Sequence, residues 1–139
     1  MIVLDTNVLS EPLNRQPDEH VLAWLASLDE EAGVTAVSVG ELLTGVRALP
    51  VGRRREGLLA AIEATLQTFA GSVLAYDEAA ARHYARLQEL RRAAGRLLAV
   101  EDGMIAAICI ARGTTLATRN TTDFNGLGLD LIDPWSNSS

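Results

Sequence analysis

Short apolar runs alternate along this chain with segments whose apolar residues recur at helical spacing, and that alternation restricts the fold more than any other feature. The runs are IVLD at 2–5, VTAV at 34–37, SVLAY at 72–76, TTLAT at 114–118 and LDLIDP at 129–134, each read as a strand. Between the first two, DEHVLAWLASLDEE (18–31) spaces Val21, Leu22, Trp24, Leu25 and Leu28 as an amphipathic helix does, and Gly33 is expected to break that pattern. SVGELLTGVRAL (38–49) is read as a helix ended by Pro50, and RRREGLLAAIEATLQTFA (53–70) as one ended by Gly71. EAAARHYARLQELRRAAG (78–95) is a long helix with Asp77 as its N-cap. EDGMIAAICIARG (101–113) is nearly all apolar, hence a buried helix, closed by Gly113. RNTTDF (119–124) is read as a polar loop. Strands alternating with helices predict a three-layer α/β/α sandwich around a mainly parallel central sheet. One domain over 1–135 with a loose tail at 136–139 is expected. No apolar run approaches the ~20 residues needed to span a bilayer, so no membrane association is expected.

In such a sheet a site forms at the carboxyl ends of the strands. Four acids are predicted at that edge: Asp5 after the first strand, Glu41 past the second, Asp102 at the entrance to the buried helix and Asp123 in the RNTTDF loop. Arg119 and Asn120 follow the TTLAT strand to the same edge. Each acid alone has a bland explanation. Ser38-Val39-Gly40-Glu41 fits the S-x-x-E capping box. A first-turn Asp102 gains about 0.5 kcal/mol from the helix dipole, and Asp123 suits an exposed turn. Asp5 is harder to dismiss, because burying an unpaired carboxylate needs a compensating charge, cap or metal. Carboxylates converging on one pocket raise each other's pKa values unless cations enter. Hard divalent ions with oxygen ligands, Mg²⁺ or Mn²⁺, meet that need and support phosphoryl transfer.

Charge and composition remove other classes. A net charge of −6 argues against broad coating of nucleic acid. All twelve basic residues are arginine. Without lysine there is no P-loop phosphate site and no phospho-receiver chemistry. An aspartate-nucleophile phosphatase needs a second aspartate where Asn7 stands. The single cysteine, Cys109, lies in an apolar stretch and is read as a core residue. It cannot form an internal disulfide, which agrees with a reducing cytoplasm, and the N-terminus shows no export signal. His20 and His83 have no cysteine partners for zinc. The arginines at 53–55 and Arg82, Arg86, Arg91, Arg92 and Arg96 could form an RNA-binding groove, but most of them are read as solvated helical faces with partners such as Glu78 for Arg82.

IVLDTNVLSE, SVGELLTGV, EDGMIAAICIARGTTLATRNTTDF and LDLIDPW, in this order in a chain of this length, resemble the PIN-domain family, specifically its VapC- and FitB-type toxins. The resemblance covers essentially the whole chain. It implies a Mg²⁺-dependent endoribonuclease, with Mn²⁺ as an alternative ion, acting as the toxin of a toxin–antitoxin pair. By the same resemblance Asp5, Glu41 and Asp102 are catalytic and metal-binding. Many relatives carry an aspartate where this chain has Asn120, so Asp123 is taken as the fourth catalytic acid. Thr6 and Asn7 would orient Asp5 and bound water, with Arg119 and Asn120 orienting the phosphate. The implied partners are an RNA substrate, a second copy of the chain, and a VapB- or FitA-like antitoxin. The antitoxin is expected in a groove between VLAWLASL and the next helices. The alternative is a catalytically weak PIN-fold module acting by binding.

Overall fold

The computed structural model describes residues 1–136, so the expected tail lies, apart from Ser136, outside the described residues. Along the chain run β1 (Ile2–Leu4), α1 (Thr6–Ser10), a 3-10 turn (Glu11–Leu13), α2 (Glu19–Ser27), β2 (Ala32–Thr35) and α3 (Ala36–Arg47). They are followed by α4 (Arg53–Gln67), β3 (Val73–Leu74), α5 (Glu78–Ala93), α6 (Val100–Arg112), β4 (Thr115–Ala117), α7 (Thr121–Phe124) and β5 (Leu131–Ile132). Among the described residues the strands form one parallel sheet in the order β3-β2-β1-β4-β5. The chain builds outward from β1 to β3, then crosses over to β4 and β5. That reversal puts a crevice at the carboxyl ends of β1 and β4.

Side chains alternate across a strand, so the central strands supply two cores. Val3 and Leu116 face the layer of α5 and α6, where Leu87, Ile105 and Ile108 are buried. Ile2, Leu4 and Ala117 face the opposite layer, with Val8 of α1, Leu42 and Val46 of α3 and Ile62 of α4. This is the three-layer sandwich that the alternation predicts. The apolar α6 buries Ile105 through Cys109, and burial pushes the Cys109 thiol up to about 11, so it is a core residue. Asp77 caps α5 by accepting the Ala80 N–H at 3.0 Å.

Three local expectations change. The second strand ends at Thr35, with Gly33 inside it rather than before it. A Cβ on Gly33 would stand 3.0 Å from the Ser72 carbonyl oxygen, so the missing side chain lets the neighbouring backbone close in. α1 follows β1 without a break; at five residues it is too short for periodicity to announce it. The RNTTDF segment is not a loop throughout, because Phe124 is buried and holds the turn α7 against the core.

Candidate active site

Asp5 is the residue immediately past β1 and is only 4% exposed. Its Oδ1 accepts the Thr6 N–H at 2.8 Å, which caps α1, and its Oδ2 accepts the Thr118 hydroxyl at 2.7 Å. Burial raises its pKa, and these two hydrogen bonds pull the other way. A buried carboxylate satisfied on two sides keeps lone pairs for a further partner.

Glu41 reaches the same place from α3. The capping box is not formed: Thr35 is the N-cap and accepts the Ser38 N–H at 3.1 Å, because the helix begins three residues earlier than the S-x-x-E pattern implies. Glu41 is therefore beyond the first turn, and its Oε1 accepts the Thr6 hydroxyl at 2.7 Å. Thr6 Oγ1 also lies 2.9 Å from Ser38 Oγ. One hydroxyl proton cannot serve both contacts, so with that proton on Glu41 the Ser38 hydroxyl supplies the other. α1 thus holds both acids, Asp5 through a backbone N–H and Glu41 through a side chain.

Asp102 enters from the first turn of α6, which runs back against β4 and so begins near the carboxyl edge. Asp5, Glu41 and Asp102 line one pocket of about 340 Å³ together with Thr6, Asn7, Ser10 and Asn120. Among the described residues no basic side chain lines it. Burial, then the charges of Asp5, Asp123, Glu41 and Glu101, push the Asp102 carboxyl up to about 6. Asp123 faces a neighbouring cleft that shares Asp102. Asn120 is in the acid pocket and Asp123 is beside it. Asn7 Oδ1 accepts the Arg119 N–H at 3.3 Å, while the Arg119 guanidinium lies 5.1 Å from the Trp135 ring centre. Among the described residues no group of three or more histidine, cysteine, aspartate or glutamate side chains is arranged to hold a metal ion. The acids border a common space without closing into a cage, since Asp5 is turned to Thr118 and Thr6, and Glu41 to Thr6.

The sequence profile of the PIN domain matches residues 2–127. This chain is a PIN-domain protein. It is 43% identical to the VapC ribonuclease Y4jK of Sinorhizobium fredii over 137 residues, covering 97% of this chain and 98% of that one. It is 41% identical to the toxin FitB of Neisseria gonorrhoeae, with 97% and 99% covered. The crystal structure of FitAcB from Neisseria gonorrhoeae superposes with a TM-score of 0.91 at 41% identity, over 97% of this chain and 99% of that one. The protein is thus closely related to VapC- and FitB-type toxin ribonucleases, a membership that supports hydrolase activity in general. Among the described residues no helix is long and apolar enough to cross a membrane.

Two features of this PIN domain escape a reading of its sequence. The groove beside the acid pocket, about 660 Å³, runs between α1 with its 3-10 turn, α3 and α4, and α2 does not line it. Arg91, grouped with the solvated arginines, is buried, and its Nη2 donates to the Asp123 and Asn125 carbonyls at 2.6 and 3.1 Å. Ala80, Tyr84 and Leu87 form the inner stripe of α5, and the next position of that stripe is 91. That spacing was the signal for its burial.

The raised pKa of Asp102 fixes the sign of one pH effect. A carboxyl that titrates near 3.8 in the unfolded chain and at about 6 in the fold binds its proton more tightly when folded. The stability that this carboxyl contributes is therefore fully present below the unfolded value and is lost as pH rises through about 6. In EDTA, thermal melts across that window are expected to show this decline. Asp102→Asn should flatten it and melt higher than the wild type at neutral pH. A steeper decline in the variant would contradict the electrostatic account.

Proposed function

We propose that this PIN-domain protein is a divalent-cation-dependent endoribonuclease, the toxin of a toxin–antitoxin pair. The observation that carries the reading is the acid pocket itself: three carboxylates from β1, α3 and α6 around one space with no cationic side chain among them. Its donor set is oxygen only, which suits Mg²⁺ or Mn²⁺. Mg²⁺ is commonly held by one or two carboxylates and keeps several waters, so a closed cage of three acids is not required. Asp5 and Asp102 would hold the ion, with Glu41 at the rim. When bound, the ion would offset phosphate charge and lower the pKa of a water.

The protein's own groups do the rest. Thr118 and the Thr6 N–H fix the Asp5 carboxylate, and the Thr6 hydroxyl fixes Glu41, so neither acid must be ordered when substrate arrives. Glu41, more exposed than Asp5, would take a proton from an attacking water. Asn7 and Asn120 offer amide donors for phosphate oxygens. Attack by water needs no 2′-hydroxyl and leaves a 5′-phosphate.

The apolar groove supports a helical partner segment of the antitoxin kind. Leu42, Val46, Leu49, Leu58 and Ile62 line it, and its polar end, Thr6 and Glu41, opens beside the acids. The test of activity is cleavage of total cellular RNA by purified, antitoxin-free protein with Mg²⁺, Mn²⁺ or EDTA. Cutting is expected with either ion and none with EDTA. Cutting that survives EDTA defeats the reading, and a folded but inert protein favours the binding module.

A further inference from the structure

The surface changes sign next to the acid pocket. A cleft of about 200 Å³ has Asp102 and Asp123 in its lining and, with them, Arg91 and Arg96. A second hollow of about 500 Å³ continues from the same two arginines to Thr122, Asn125 and Gly126. The acid pocket and the first cleft share Asp102, and the first cleft and the second hollow share Arg91 and Arg96, so the three spaces lie side by side and mark out a track. Its acidic end is at β1 and its basic end at the close of α5.

The two arginines have different jobs. Arg91 is spent on the carbonyls of Asp123 and Asn125 and forms the wall. Arg96 is delivered by the helix end: Gly95 turns the chain at φ 83°, a conformation a side chain would resist, and the Arg96 N–H donates to the Arg91 carbonyl at 2.9 Å. That turn places Arg96 next to Arg91 with its side chain exposed. Among the described residues Arg96 makes no ion pair within 4.0 Å, although Asp102 and Asp123 line the same cleft. In contrast, Arg82 is closed onto Glu78 at 2.8 Å.

We propose that Arg96 binds a phosphodiester of the nucleic-acid strand adjoining the phosphate that lies over the acid pocket. This deepens the nuclease reading and rests on it for the identity of the strand. The guanidinium fork matches two phosphate oxygens, and an exposed arginine gives up little hydration to meet them. In a protein of net charge −6, such a local cation sets where a strand can lie. The acids turn a bare phosphate away and Arg96 draws its neighbour in, which fixes the strand's register along the track.

The test is fluorescence anisotropy of a labelled single-stranded oligoribonucleotide with the full, antitoxin-free chain in EDTA, titrated across salt. Wild type, Arg96→Gln, Arg96→Lys and Arg82→Gln are compared. Arg96→Gln is expected to bind about tenfold more weakly at low salt. Its log K against log salt should be shallower by about 0.7, the loss of one phosphate contact on a single strand. Arg96→Lys should recover part of the affinity, and Arg82→Gln should follow wild type. In Mg²⁺ the Arg96→Gln defect should fall on KM rather than kcat. All four proteins should melt alike, because both side chains are exposed. Wild-type affinity and slope in Arg96→Gln overturn the proposal, as does an equal loss in Arg82→Gln or no binding by wild type. The Arg96 effect on binding without any cleavage keeps the subsite and removes the nuclease reading. Cation-dependent cleavage with unchanged Kd and KM in Arg96→Gln does the reverse.

Discussion

Asp5→Asn is expected to remove RNA cleavage by a factor of at least about 10³, equivalent to about 4 kcal/mol of transition-state stabilisation, while the chain stays folded. The shape of the side chain is retained, so the Oδ1 bond from the Thr6 N–H that caps α1 survives. At the other oxygen an amide donor now meets Thr118. That hydroxyl already accepts the Asn120 N–H at 3.0 Å and has a second lone pair, so it can accept the new N–H by turning its own proton away. One hydroxyl proton then loses its acceptor, a cost of about 1 kcal/mol. Against it stands the desolvation that raises the Asp5 pKa, which vanishes with the charge. The two act in opposite directions, and the melting temperature should move by only a few degrees. Single-turnover cleavage with Mg²⁺ beside a thermal melt checks both halves. Cleavage near the wild-type rate would mean that the acid pocket is not where the phosphate reacts, whatever else the fold binds.

The layers and the sheet edge were readable because they follow from periodicity. IVL, flanked by a carboxylate, has little to be except a buried strand, and the nearly unbroken apolar run of α6 has little to be except a core helix. Asp5 and Asp102 stood out at the ends of those two elements for the same reason. Glu41 was ambiguous because Val34-Thr35-Ala36-Val37 fits a strand end and a helix start equally well. Thr35, which is both β-branched and a good cap, settles the boundary only once Ser38 folds over it. With the N-cap three residues earlier, at Thr35 and not Ser38, Glu41 is released from capping and turned to Thr6. Whether Asn120 or Asp123 fills the fourth position could not be read, because α7 is a single turn without periodicity, seated by its own buried Phe124 and by Arg91, which is distant in sequence. The groove was expected along α2 for the apolar spacing of that helix. α1 and its 3-10 turn line the groove instead, since a five-residue helix leaves no periodic trace.

Arg91→Ala is the stability change with the largest expected effect among the charged residues. At 8% exposure the guanidinium is a buried cation whose Nη2 bridges two carbonyls, Asp123 and Asn125, on either side of Phe124. Truncation deletes hydrogen bonds to a charged donor, leaves both carbonyls to find other partners and empties the space that the stem of the side chain fills. The sum is about 2–4 kcal/mol, or a fall in melting temperature of about 10 °C for a chain of this size. Water reaching the vacated space caps the loss, because the carbonyls of α7 lie near the surface. Arg92→Ala, one residue on and exposed, removes the same formal charge and should cost less than about 0.5 kcal/mol. Arg91→Lys keeps the charge but offers a point where a fork is needed, so it should fall between the two. Equal urea midpoints for Arg91→Ala and Arg92→Ala would show that position 91 is as solvated as its neighbour and that α7 is held by Phe124 alone. Unequal midpoints tie the end of α5 to the turn carrying Asp123, and through it to the acids whose charges raise Asp102.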